Sequence, residues 1–375
     1  MAQEQSGPHR PKRILSLDGG GVRGAISVAF LERIEDILRQ HSGAAKSPRL
    51  CDHFDLIGGT STGAIIGTAL ALGMSAAEIK KFYFNLAPRI FRHRRFRLWL
   101  VQTLFDARAL REEISEIVGD RQLETPDLLT SLAIVTKRMD TGSAWIVTNN
   151  PKSKYWNDPQ DHSYIGNRHY RLADLVRAST AAPYYFAPHE IDIAPGEPPG
   201  LFVDGGVSPH NNPALALFQV AAIPAYGFGW PVGADELDII SIGTGSWRSR
   251  LSPPAASRMP AVGLAIEALK SMSADSESQV LTLMQILGHT DTPWTINSEL
   301  GDLRDVLLPP KPLFTFERYD VRLEQNWLKE ELGFSLDEPV VESLRMLDNA
   351  MAIPLSYEIG QAAAEKFIKP EHLLT

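Results

Sequence analysis

The stretch "FDLIGGTSTGAIIGTALAL" (54–72) holds a serine where a catalytic hydroxyl would be presented. An apolar run stops at Gly58 and Gly59, offers Ser61, and passes Gly63 into a second apolar run. Gly59-Thr60-Ser61-Thr62-Gly63 fits G-x-S-x-G, the nucleophile elbow, in which a strained strand-to-helix turn lifts a serine hydroxyl off a sheet. Gly59 and Gly63 are the small flanks such a turn needs, because strand and helix pass close together. A plainer reading competes, in which Ser61 caps the following helix by accepting a backbone N–H. Partners elsewhere in the chain must decide between them.

The turn "DGGGVRG" (18–24) invites two readings. It matches G-x-G-x-x-G between a strand and a helix, the dinucleotide fingerprint. That reading needs a ribose-binding acid about twenty residues on; the chain there reads "AAKSPRL", and the next strand ends at the serine instead. The alternative is an oxyanion hole, since successive N–H groups at a helix start favour negative charge. Gly19, Gly20, Gly21 and Val22 are the candidate loop, with Arg23 adding positive field where a surface cation is mildly disfavoured.

Ser61 also needs a base. His210, His289 and His372 lie downstream, and none sits in a turn that singles it out. Asp204 in "LFVDGGVSPHNNP" is the stronger candidate. It ends an apolar strand with two glycines behind it, which presents it from the C-terminal edge of a sheet, as Ser61 is, where open α/β sheets do their chemistry. Taken alone it also reads as an aspartate opening a D-G turn.

The surrounding elements fit that placement. "RILSL" reads as a buried strand, and "AISVAFLERIEDILRQ" as a helix with Ile26, Phe30, Leu31, Ile34, Ile37 and Leu38 on one stripe. A second strand and the elbow helix follow, a strand–helix–strand–helix opening that predicts an α/β fold with a largely parallel sheet. Ser75 and Glu78 form a capping-box pattern, Asp106 and Gly119 bracket an amphipathic helix, and a hairpin is expected around Asp140–Gly142. "RLADLVRAST" reads as a helix; "GLFVDGG" and "ELDIISIGTG" add strands. After residue 250 helical periods dominate, in 261–288, 321–332 and 339–368, with Pro-rich breaks near 251–260 and 309–312.

Together "DGGGVRG", "GTSTG" and "DGG", in that order, resemble the patatin-like phospholipase family, and "RASTAAPYYFAP" (177–188) is similar to the family's block between elbow and aspartate. The resemblance implies a three-layer α/β fold and a Ser–Asp dyad that needs no histidine, metal or other cofactor. It makes Ser61 the nucleophile, Asp204 the base and Gly19 to Gly21 the oxyanion donors, with Arg23 as the basic position. It implies acyl-lipid substrates: phospholipid, lysophospholipid or galactolipid. Expected organisation is a tail at 1–12, a catalytic core at 13–250, and a helical C-terminal layer at 251–375 whose role stays open. One alternative is a regulated effector phospholipase, antiphage or virulence-related, switched on by a cyclic nucleotide or protein partner; another is a catalytically silent binding module.

Composition narrows the partners. The net charge of −8 gives no support to nucleic-acid binding, and the single cysteine, Cys51, rules out an internal disulfide or cysteine-rich zinc site. The polar first thirteen residues lack a signal-peptide core, and no apolar run reaches the ~20 residues a membrane span needs. A cytoplasmic protein that visits membranes peripherally is expected. The contact is sought in "APRIFRHRRFRLWLVQTLF" (87–105), where Arg92, Arg94 and Arg95 neighbour Phe96 and Trp99. The plainer reading is a solvated loop whose arginines pair with surface carboxylates; a nucleotide-phosphate site is a third.

Overall fold

A computed structural model describes residues 10–42, 48–90, 105–248 and 253–374. The chain opens with β1 (Lys12–Leu17), α1 (Gly24–Ser42), α2 (Leu50–His53), β2 (Leu56–Thr60), α3 (Thr62–Ala71), α4 (Ala76–Ile90) and α5 (Ala107–Val118). It continues through β3 (Ser131–Arg138), β4 (Ala144–Thr148), α6 (Leu172–Ser179), β5 (His189–Ile191), β6 (Gly200–Asp204), α7 (Ala214–Ala222) and β7 (Leu237–Ile242). The remainder holds α8 (Pro253–Arg258), α9 (Ala261–Leu287), β8 (Thr315–Tyr319), α10 (Gln325–Leu332), α11 (Glu338–Arg345) and α12 (Ile353–Phe367).

One sheet of eight strands organises the fold, in the order β5-β6-β3-β2-β1-β7-β8, with β4 also paired to β3. The run β3-β2-β1-β7-β8 is parallel, and β4, β5 and β6 join through antiparallel ladders. Side chains alternate across the sheet with the period of two that a strand imposes. Ile14, Leu56 and Ile239 enter a core with α7, the end of α9 and Phe314. Their neighbours Leu15, Ile57 and Ile240 enter the opposite core with α1, α4 and α12. Helices therefore cover both faces, which fits the apolar character of the parallel strands. Gly360 of α12 lets that helix lie tight on α1; a Cβ there would come within 2.9 Å of the Ile26 carbonyl oxygen.

Local signals act where expected. Asp106 caps α5 by accepting the Arg108 N–H, and Gly119 follows the helix at φ 58. Ser75 and Glu78 exchange the two bonds of a capping box, at 3.2 and 2.8 Å. The hairpin around Asp140–Gly142 joins β3 to β4. The region after residue 250 is mainly helical, and it also supplies β8, a strand the sequence pattern does not announce. The helical period at 339–368 is two helices, α11 and α12, separated around Met346–Ala352.

Candidate active site

Three ladders on β3 set the positions of Ser61 and Asp204. Ala133, Ile134 and Val135 pair with β2 and also with β4, so those two strands take opposite edges of β3. Thr136 and Lys137 pair with β4 and with Asp204 and Val203 of β6. A strand has only two edges, so β6 runs along the edge that β2 leaves after Thr60. The two strands come from opposite directions and meet end to end. Asp204 thus reaches the serine from an antiparallel strand, whereas the sequence pattern suggested two strands presenting their residues side by side. Ser61 Oγ donates to Asp204 Oδ2 at 2.6 Å.

The elbow is strained as its motif requires. Ser61 sits at φ 55, ψ −122, a region that costs an L-residue about 1–3 kcal/mol and persists only where surroundings enforce it. A Cβ on Gly59 would fall 2.2 Å from the carbonyl of Gly63, and one on Gly63 would fall 2.2 Å from the Leu17 carbonyl oxygen. Ser61 stands at the N-cap of α3 but makes no side-chain capping bond. The capping alternative is thereby set aside: the hydroxyl is spent on Asp204. The Ser61 N–H donates to Ser179 Oγ at 2.9 Å, and Ser179 in turn donates to the Val135 carbonyl at 2.6 Å.

The glycine-rich loop lies against the elbow; a Cβ on Gly19 would come 3.2 Å from Ser61 Cβ. Bookkeeping of its N–H groups narrows the candidate donors. Gly19 donates to the Asn211 carbonyl (3.0 Å), Val22 to the Leu347 carbonyl (2.9 Å) and Arg23 to the Gly20 carbonyl (3.2 Å). The N–H groups of Gly20 and Gly21 have no acceptor among the described residues, and both glycines line the cavity. Gly21 adopts φ +57, and a side chain there would strike the Leu347 carbonyl at 2.2 Å. Arg23 is not a surface cation. It is buried, donates to the Gly245 carbonyl at 2.6 Å, and stacks over Trp247.

Burial dominates the electrostatics of Asp204. It pushes the carboxyl up to about 6, against the pull of Ser61, the Gly206 N–H and Arg177. The Gly206 N–H reaches Oδ1 at 2.7 Å. Arg177 is buried too, holds the Ala187 carbonyl at 2.8 Å, and its own pKa is drawn down to about 10 by desolvation. A carboxylate poised near 6 is ionised at neutral pH yet basic enough to take a proton. Two of the downstream histidine rings have other partners: His372 Nδ1 meets the Tyr319 hydroxyl at 2.7 Å, and His289 faces Asp291 at 3.5 Å. The His210 ring Nδ1 is buried without a hydrogen-bond partner among the described residues. His210 contributes its carbonyl, which accepts from Thr60 Oγ1 at 2.6 Å.

Several supporting groups escape sequence reasoning. Thr244 Oγ1 donates to the Gly19 carbonyl at 2.8 Å, and the only sequence signal for it is the G-T-G that ends β7. Arg318 of β8 is fully buried, and its Nη2 meets Asp18 at 2.7 Å, Asp320 at 3.0 Å and Glu277 at 3.1 Å. Asp320 also accepts the Gly245 N–H at 2.8 Å, so β8 braces both the glycine loop and the segment under Arg23. No motif marks these residues, because their partners in the glycine loop are hundreds of positions away.

Ser61, Asp204, Gly19 to Gly21 and Arg23 all border one cavity of about 700 Å³. Ile65, Phe82, Leu110 and Phe186 give it an apolar wall, and Glu277 and Leu347 bring in the C-terminal region. Arg92, Arg94, Arg95, Phe96 and Trp99 lie outside the described residues. Among the described residues there is no acidic, histidine or cysteine group that could hold a metal, and no helix long and apolar enough to cross a membrane.

The chain is 32% identical over 64% of its length to the cGAMP-activated phospholipase of Vibrio cholerae serotype O1, covering 66% of that protein. It is 32% identical to a cGAMP-activated phospholipase of Escherichia coli, over 66% of this chain and 65% of that one. It is 29% identical to patatin group M-1 of Solanum tuberosum, over 62% of this chain and 60% of that one. The chain thus matches just under two thirds of the length of these curated relatives. The family model described as patatin-like phospholipase matches residues 15–218, which takes in the glycine loop, the elbow and Asp204. This chain belongs to the patatin-like phospholipase family.

Proposed function

We propose that the chain is a lipid acyl hydrolase of the phospholipase A or lysophospholipase type, a serine carboxylic-ester hydrolase working through Ser61 and Asp204. The observation that carries this is the 2.6 Å hydrogen bond between Ser61 Oγ and Asp204 Oδ2 at the wall of a mostly apolar cavity. Ser61 Oγ attacks the ester carbonyl while its proton passes to Asp204. The N–H groups of Gly20 and Gly21 hold the tetrahedral oxyanion, and losing one such donor typically costs roughly 10²–10³ in kcat. Asp204 hands its proton to the departing alkoxide. Water, deprotonated by Asp204, then attacks the acyl-serine, and Asp204 returns that proton to Ser61 Oγ as the C–Oγ bond breaks and the fatty acid leaves. No cofactor enters this sequence.

Lipid enters through a mouth where Val207 (46% exposed) and Met346 (50%) show apolar surface. Arg92, Arg94 and Arg95, with Phe96 and Trp99, are the proposed peripheral membrane contact. A switched enzyme is the second reading, supported by the cGAMP-activated phospholipases among the relatives and by the Leu347 carbonyl resting on the Val22 N–H. The test is to incubate purified protein with mixed-chain phospholipids, with and without cGAMP, and to analyse the products. Free fatty acid and lysophospholipid are expected. Release only with cGAMP selects the switched reading; no release under either condition sinks the hydrolase.

A further inference from the structure

The charge lining the cavity is lopsided. Six bordering residues are acidic (Asp18, Asp204, Glu267, Glu277, Glu342 and Asp348) and two are basic, Arg23 and Arg345. Both arginines are committed elsewhere. Arg23 holds the Gly245 carbonyl, and Arg345 is tied to Glu338 and to the Leu323 carbonyl, each at 2.9 Å. Two of the acids are incompletely compensated. Asp18 shares one guanidinium nitrogen with two other carboxylates, and its Oδ1 is buried without a partner. Asp348 is only 9% exposed, and no hydrogen bond or ion pair to its carboxylate exists among the described residues.

A mostly enclosed carboxylate that borders the cavity with no cation beside it is a place where a ligand's positive charge is favoured. Asp348 directly follows Leu347, whose carbonyl takes the Val22 N–H, so it stands beside the proposed oxyanion loop. A lipid whose scissile ester lies at Ser61 would extend its headgroup into this acid-lined part of the cavity. We infer that this wall receives the ammonium group of a zwitterionic phospholipid headgroup, with Asp348 as its principal contact. The inference rests on the acyl-hydrolase reading and assigns its substrate class. Ethanolamine and choline headgroups carry the required charge. A glycerol headgroup carries no ammonium and offers Asp348 no opposite charge.

The test compares kcat/KM on phosphatidylethanolamine, phosphatidylcholine and phosphatidylglycerol of identical acyl chains. Each is diluted in nonionic detergent micelles, so that surface charge stays constant, with cGAMP present. The parent should favour both ammonium lipids over phosphatidylglycerol, on the order of tenfold or more for one partly screened charge pair. Asp348→Asn should bring the ratio close to one, and Asp348→Glu should keep it. The ratio is taken within each variant, so a general loss of activity cancels; the exposed Glu342→Lys offers a second, fold-tolerant probe and should lower the ratio. Preference for ethanolamine alone assigns a hydrogen-bonding site for a primary ammonium; preference for both assigns a charge site. Equal cleavage of all three lipids by the parent, or an unchanged ratio in Asp348→Asn, overturns the inference alone. Cleavage of none brings down the hydrolase reading and this inference with it.

Discussion

Ser61 and the glycine-rich loop lie side by side on the cavity wall and are held in opposite ways. The elbow is shaped mostly by its own neighbours: Gly59 and Gly63 let β2, α3 and β1 crowd together around one strained residue. The loop at Gly19 to Arg23 is held from a distance. Thr244 reaches Gly19 across 225 positions and Arg318 reaches Asp18 across 300, while Leu347 anchors Val22. A short motif can therefore place the proposed nucleophile, whereas the proposed oxyanion loop takes this form with contacts from the chain beyond residue 250. Those contacts make the C-terminal region part of the candidate site's frame.

The hardest way to break the local half is to remove its chemistry. Ser61→Ala and Asp204→Ala should each lower kcat by on the order of 10⁴-fold or more, and the double variant should be little worse, since groups acting as a unit are not additive. Steady-state rates on a soluble ester and a phospholipid measure this. A folded Asp204→Ala protein that retains a tenth of parental activity would end the dyad.

The long-range half breaks at Arg318. Arg318→Met leaves Asp18, Asp320 and Glu277 converging on an empty place in the interior. Removing one partner of a buried ion pair typically costs about 3–5 kcal/mol. Denaturant unfolding at neutral pH should show a loss of that size, with activity falling alongside. The deficit should shrink in acid, because unpaired buried carboxylates have raised pKa values and are relieved by protonation. A loss that does not depend on pH would mean that packing, and not charge, is what Arg318 supplies.

The same divide between local and distant support decides which features are legible in the sequence. The serine, the aspartate and the parallel α/β frame can be read because strands such as "RILSL" and "ELDIISI" are apolar runs closed by glycine turns. β8 is hidden because "TFERY" places Glu317 and Arg318 in a buried strand, where charge normally argues for exposure. Those charges are tolerated because each has partners from distant segments, among them Thr292 for Glu317 at 2.6 Å. The direction of β6 is hidden for a related reason: a strand's pattern reveals its faces, not its neighbours. Among the loop residues, the family resemblance implies Gly19 to Gly21 as donors, and only the fold brings the Asn211 carbonyl onto the Gly19 N–H and the Leu347 carbonyl onto the Val22 N–H.

Proton affinity sharpens the comparison within the elbow itself. Asp204 is raised from 3.8 to about 6, chiefly by burial. As the proposed base it must be ionised, so kcat/KM should fall about tenfold per pH unit below 6. Stability runs the other way. A carboxyl with a raised folded-state pKa favours folding while protonated, so its contribution is greatest below 3.8 and is lost as pH climbs to about 6. A shift of that size corresponds to about 3 kcal/mol as an upper figure. Asp204→Asn should therefore be inactive yet more stable than the parent at pH 7.5, by about 1–3 kcal/mol, with the advantage fading towards pH 4. Urea melts at both pH values decide it; an advantage absent at pH 7.5 would show that Ser61, Gly206 and Arg177 already compensate the buried charge.

The smallest effect is expected from the histidines, and it tests whether the local half is complete with two residues. His210 comes nearest to the elbow in its connections, yet it touches β2 through its carbonyl, while burial and then Lys137 hold its ring pKa below the usual value. His289 faces Asp291, and His372 serves the Tyr319 hydroxyl beneath the C-terminal helices. Replacing each by Gln should leave kcat within about threefold of the parent, because no ring takes or delivers a proton at Ser61. His372→Gln should instead cost up to about 1 kcal/mol of stability, the usual worth of one lost hydrogen bond. EDTA should leave the rate unchanged as well. The informative failure is His210: a folded His210→Gln protein with kcat reduced a hundredfold would show that its ring swings to Asp204 in the substrate complex. The end-to-end meeting of β2 and β6 would then be two thirds of a triad.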